Sequence, residues 1–92
     1  MNDMNFGGAL KALKRGERVA RRGWNGRGMW LALLDPSEVS GTVRPFVVMC
    51  DPHGMLVPWV PSQTCFLAED WHVVPSALPA AAVLRLIEGA AA

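Results

Sequence analysis

The sequence predicts an α+β fold, in which an N-terminal helix packs on a small, mainly antiparallel sheet and an extra C-terminal helix is an option. Three observations predict it. Phe6, Ala9, Leu10 and Leu13 recur at helical spacing, short apolar runs of strand length follow, and Gly/Pro/Asn/Asp punctuation separates those runs. In the first element Lys11, Lys14 and Arg15 take the opposite face, Asn5 is a suitable N-cap, and Gly16 stands where a left-handed C-terminal residue is often needed. Glu17 to Arg22 then reads as a short strand. Gly23-Trp24-Asn25-Gly26-Arg27-Gly28 is a shaped loop, its glycines permitting backbone angles that other residues resist.

Met29 to Leu34 reads as a strand apolar on both faces, one face for the helix and the other for a second surface such as a subunit partner. Asp35 to Val43 is a polar loop, and Arg44 to Cys50 the next strand. Asp51-Pro52-His53-Gly54 has the chemistry of a four-residue reversal, so Met55 to Val57 pairs back as a hairpin. Pro58 and Pro61 are expected to stop regular pairing around Trp59, with Ser62 capping a helical turn through Gln63, Thr64, Cys65 and Phe66. Trp71 to Val74 closes the sheet. Residues 79–89 hold strong helix formers with Val83, Leu84, Leu86 and Ile87 clustered. The expected organisation is one ligand-binding domain over 1–75 and an Ala-rich helical tail over 76–92.

A chain of 92 residues with 51% hydrophobic content builds one modest core, and small cores favour self-association. A formal net charge of +1 gives no general field for a polyanion, which argues against bulk nucleic-acid binding, although Lys11, Lys14, Arg15, Arg18, Arg21, Arg22 and Arg27 crowd the first third. Met1 to Gly8 lacks a secretory-signal pattern, so a cytosolic location is expected, with Cys50 and Cys65 as free thiols. No apolar run reaches the roughly 20 residues of a membrane span.

Two segments could carry chemistry. Arg21, Arg22, Trp24, Asn25 and Arg27 combine cations, an indole face and an amide around glycines. An aromatic face stacks on a base, guanidinium groups meet phosphate in bidentate fashion, and an amide reads a base edge or a hydroxyl. The competing reading makes Trp24 a core plug and Asn25-Gly26 an ordinary turn, and spacing alone favours it. Val57 to Thr64, extended by Glu69, Asp70 and Trp71, is stiffened by its prolines. Trp59, Ser62, Gln63 and Thr64 could form a preorganised pocket wall, or else Ser62 only caps a helix and both tryptophans anchor the core.

Catalysis finds little support. Neither His53 nor His72 adjoins a nucleophile, His53 reads as a turn residue, and the adjacent Glu69 and Asp70 read as solvated charges or helix-end contacts. Cys50, His53, Cys65 and His72 supply zinc-ligand types at unpersuasive spacing, so neither a metal nor a cofactor is expected.

Four stretches together resemble a known family. These are Met4-Asn5-Phe6-Gly7 with Ala9-Leu10, Arg22-Gly23-Trp24-Asn25-Gly26 with Gly28-Met29-Trp30-Leu31, Leu56 to Thr64, and Leu67-Ala68-Glu69-Asp70-Trp71. In order, separation and tryptophan content, over about residues 4 to 74, the chain is similar to the second type of Thoeris anti-defence protein of bacteriophages and prophages. The resemblance implies a compact α+β domain that assembles as a homotetramer, a dimer of dimers, with pockets built from more than one subunit. It implies a non-enzymatic sponge that binds glycocyclic ADP-ribose made by bacterial TIR-domain proteins, and in some members cyclic oligonucleotides, in the host bacterial cytoplasm. Carried over as pocket residues are Trp24, Asn25, Trp59, Ser62 and Gln63, with Arg22, Arg27 and Thr64 as further ligand contacts. Cys65, where an acidic residue is common, and Gly8, where a glutamate is common, depart from the pattern.

Three functions therefore stand at this point: a sponge for a cyclic ADP-ribose isomer, a sponge for cyclic di- or trinucleotides, and a phage structural or interaction module that binds no small ligand.

Overall fold

Helix α1 (Phe6–Lys14) begins where expected, because the Asn5 carboxamide oxygen accepts the backbone N–H of Gly8 at 3.0 Å and satisfies one of the helix's open donors. Lys11 and Lys14 lie in its last turn, against the negative end of the helix. Gly16 follows at φ 89°, the left-handed angle that ends helices and that glycine adopts without a Cβ clash. Ala9, Ala12 and Leu13 form the buried stripe. The computed structural model describes residues 3–24, 28–36, 41 and 43–75.

Five strands follow: β1 (Arg18–Arg21), β2 (Trp30–Leu34), β3 (Phe46–Cys50), β4 (Leu56–Pro58) and, after helix α2 (Gln63–Leu67), β5 (Trp71–Val74). They form one sheet in the order β4-β3-β2-β1-β5, with every neighbour antiparallel, so the fold is α+β as expected. The β3–β4 reversal uses Asp51: its carboxylate accepts the N–H groups of His53 and Met55 at 2.9 Å, and Gly54 turns at φ 79°.

Regular pairing of β4 ends at Pro58, as expected. It is the last residue of β4, opposite Val48, and one further hydrogen bond follows it, Trp59 N–H donating to the Val47 carbonyl at 3.0 Å. Pro58 itself can pair because β4 is an edge strand, where a proline nitrogen facing the open side costs no ladder bond.

Strand alternation sorts the apolar residues into two layers. Val19, Leu31 and Trp71 face α1 and join Ala9, Ala12 and Leu13 in the main core, against which Leu33, Val47 and Met49 also pack. Ala32, Leu34 and Val48 form a second cluster with Trp30 and Leu56, on the alternate positions of the same strands. There the Arg18 guanidinium lies over the Trp30 ring, 3.9 Å from its centroid, and burial lowers the Arg18 pKa. Among the described residues no helix is long and apolar enough to cross a membrane. The tail helix expected at 79–89, and the boundary expected at 75/76, concern a segment that lies outside the described residues from Ser76 onward.

Candidate functional site

Trp71 opens β5 and is fully buried, its indole N–H donating to the Cys65 carbonyl at 3.1 Å. It serves as a platform for both tryptophan-bearing segments. Trp24 meets it edge-on, with ring centroids 5.4 Å apart and an interplanar angle of 80°, and Trp59 meets it at 6.0 Å and 83°. Phe6 from α1 fills the remaining angle, 5.5 Å from Trp71 and 6.0 Å from Trp59, with Phe66 of α2 edge-on to it at 5.1 Å. Such edge-to-face pairs contribute about 0.5–1.5 kcal/mol each beyond the area they bury. Trp24 and Trp59 are themselves only half-buried, so each has surface outside the core.

The Ser62 hydroxyl oxygen accepts the Cys65 N–H at 3.2 Å and so caps α2, the role that its helix-start position predicts. Gln63 and Thr64 are exposed on the first turn of that helix. Arg22 is exposed, and its Nε donates to both oxygens of Asp3 at 2.7 and 2.8 Å. Asn25 and Arg27 lie outside the described residues. The chain therefore brings Trp24, Trp59 and Cys65 of α2 onto the Trp71 platform, with Ser62 joined to it through Cys65 and Arg22 engaged with Asp3.

Asp70 is the group that sequence reasoning passed over. Expected to be a solvated charge or a helix-end contact, it instead receives Arg21 Nε on Oδ1 at 2.8 Å and the Gly23 N–H on Oδ2 at 2.9 Å. The available signal was the combination of a strand-end arginine and an aspartate directly before the partner strand, with Arg21 opposite Trp71 in the β1–β5 register. The Arg21 hydrogen bond, helped by that of Gly23, holds the Asp70 carboxyl below its usual pKa against the opposing effect of burial, and the same contact raises the Arg21 pKa.

Arg21 also reaches across to α2, where its Nη1 donates to Cys65 Sγ at 3.6 Å. Burial pushes the Cys65 thiol up, but hydrogen bonds with Ser62, Arg21 and Trp24 outweigh it and leave the pKa below that of an ordinary thiol. Cys65 therefore joins the two candidate segments through one sulfur atom. The other free cysteine, Cys50, is buried, and burial together with the Asp51 charge raises its pKa.

Comparison with known proteins matches this frame. Residues 4–74 fit the family model of the Thoeris anti-defense 2-like domain. The chain is also 34% identical over 84 residues to the Thoeris anti-defense 2 protein of Bacillus phage SP01, an alignment that covers 77% of this chain and 94% of that protein. The family match spans the helix, the sheet and the two aromatic segments, and both comparisons support an anti-defence role. The chain belongs to the Thoeris anti-defense 2-like family.

Proposed function

We propose that the protein is a phage anti-defence sponge that binds and holds, without cleaving, a cyclic ADP-ribose-type signal, glycocyclic ADP-ribose, and so inhibits Thoeris immunity in the host bacterial cytoplasm. One observation carries the reading: Trp24 and Trp59, from segments far apart in the chain, converge on Trp71 while each keeps exposed surface. An indole face stacks on a purine for about 1–3 kcal/mol. The Ser62 hydroxyl, the Gln63 and Asn25 amides, the Thr64 hydroxyl and the Arg22 and Arg27 guanidinium groups supply the polar contacts that a ribose and a pyrophosphate require. A homo-oligomer, a dimer of dimers, would let a second subunit complete the pocket.

A sponge acts by lowering the free concentration of its signal, so tight binding matters more than turnover, and a nanomolar dissociation constant corresponds to about 12 kcal/mol. Calorimetry with glycocyclic ADP-ribose, followed by heat release of the ligand, tests both parts of the proposal. Tight binding with intact ligand recovered supports it, and recovered breakdown products reject it. Cyclic di- and trinucleotides enter the same experiment as a thermal-shift panel, because a ligand that binds only the folded state raises the melting temperature.

A second reading, a structural or interaction module without a small ligand, draws on exposed apolar side chains in and beside α2, where Val60 is 83% and Leu67 77% exposed. It predicts that Trp24→Ala unfolds or dissociates the protein first, whereas the sponge reading predicts lost ligand binding with fold and assembly retained.

A further inference from the structure

We propose that Asp70 is the positioning residue of the candidate site: its carboxylate holds the Arg21–Trp24 turn, and with it the Trp24 indole, against Trp71, and this hold sets the affinity for the cyclic nucleotide signal. The proposal rests on the signal-binding reading above and adds the residue on which that site's geometry depends.

Asp70 receives hydrogen bonds from three consecutive residues of the turn. Arg21 Nε donates to Oδ1 at 2.8 Å, with Nη2 at 3.5 Å from Oδ2. Arg22 N–H donates to the Asp70 carbonyl at 3.1 Å, and Gly23 N–H donates to Oδ2 at 2.9 Å. The turn then closes on itself, Trp24 N–H donating to the Arg21 carbonyl at 3.2 Å. Every backbone N–H from Arg22 to Trp24 is thus engaged, two of them by Asp70, immediately before the indole enters the aromatic cluster. The next residue along from Asp70 is Trp71, the ring that Trp24 meets. Two adjacent residues therefore hold the turn and receive its side chain, which fixes both ends of a short lever.

Gly23 gives independent support. A Cβ built there would lie 3.0 Å from Asp70 Oδ2 and 3.3 Å from Arg21 Nη2, closer than such contacts ordinarily come. A side chain there would push the carboxylate or the guanidinium away by a few tenths of an ångström. Arg21 extends the arrangement to α2 through Cys65 Sγ, so the hold on Trp24 is linked to the helix whose cap is Ser62. The carboxylate gathers two donors of the turn, the Arg21 guanidinium and the Gly23 N–H, and the Asp70 backbone carbonyl takes a third from Arg22, more than a surface ion pair of merely average effect provides.

The test uses the full chain labelled with nitrogen-15 and follows the indole N–H resonances of its four tryptophans, with Trp24→Phe and Trp30→Phe for assignment. Trp30 belongs to the other apolar cluster of the sheet and serves as the internal control. In Asp70→Asn and in Gly23→Ala, the Trp24 resonance is expected to move while that of Trp30 stays. Affinity for glycocyclic ADP-ribose is expected to fall roughly ten- to a hundredfold, the range for losing a charge-assisted contact.

A folded Asp70→Asn with the Trp24 resonance in place, or with it displaced and affinity unchanged, overturns the proposal. Gly23→Ala keeps every charge and carries the same readouts should Asp70→Asn fail to fold. If the unmodified protein binds neither glycocyclic ADP-ribose nor any cyclic oligonucleotide of the panel, the signal-binding reading fails on its own. The Trp24 resonance then still decides whether Asp70 positions the turn.

Discussion

Arg21 and Asp70, 49 positions apart, meet at 2.8 Å with side chains only 16% and 31% exposed, and this ion pair fastens the end of β1 to the start of β5. Its effect on stability depends on pH in a defined direction. The Asp70 carboxyl is held below its ordinary pKa in the folded protein, chiefly by Arg21. The folded state therefore binds its proton less readily than the unfolded chain does. The stabilisation is fully present above the unfolded value of about 4 and is lost as pH falls through the folded value. Asp70→Asn should be less stable than the parent at pH 7 by about 1–2 kcal/mol, with the gap closing as the medium is acidified below about pH 4. Urea melts at a series of pH values check it, and a gap that stays constant into acid contradicts it.

Trp71 is the largest fully buried side chain and meets three other aromatic rings. Trp71→Ala should destabilise by about 3–5 kcal/mol, the range for deleting a large aromatic from a packed core. In a domain this small the expected result is an unfolded protein at room temperature, measured by loss of near-ultraviolet circular dichroism.

Gly16→Ala places a Cβ at φ 89° with open space around it. The cost is therefore one of backbone strain, about 1 kcal/mol, with no steric clash added. A denaturant midpoint lowered by that amount at unchanged slope is the expected outcome.

The two thiols should differ in reactivity. Cys65 is half-buried and its pKa is lowered by the groups that hydrogen-bond it, whereas Cys50 is buried with its pKa raised. Because the thiolate is the nucleophile, iodoacetamide at neutral pH should label Cys65 well before Cys50. Peptide mass spectrometry over a time course reads the order, and equal rates would contradict it.

How much of this was legible in the sequence follows from the range of the forces involved. Asn5, Gly16 and the Asp51–Gly54 reversal act on neighbours within four residues, so helix start, helix end and hairpin were readable directly. Strand bounds were readable to within about two residues, because the apolar runs themselves are short. The end of β4 at Pro58 was readable from the prolines, but that this strand lies at the sheet edge was not, because local chemistry does not contain strand order. The neighbouring of β1 and β5 is likewise non-local, which is why Asp70 read as a solvent charge until the register set it beside Arg21. For the site, residue types gave Trp24 and Trp59 as candidates, and the family resemblance supplied the idea that they act together. Ser62 was legible in its capping role alone.

The most direct test of the central claim, that the aromatic platform grips a cyclic nucleotide signal, is a calorimetric titration of glycocyclic ADP-ribose into Trp24→Ala beside the unmodified protein, at a temperature where both are folded. The account predicts tight binding to the unmodified protein and an affinity lower by roughly tenfold or more in the variant, in line with a lost stacking contact. Equal affinity in the two would contradict it.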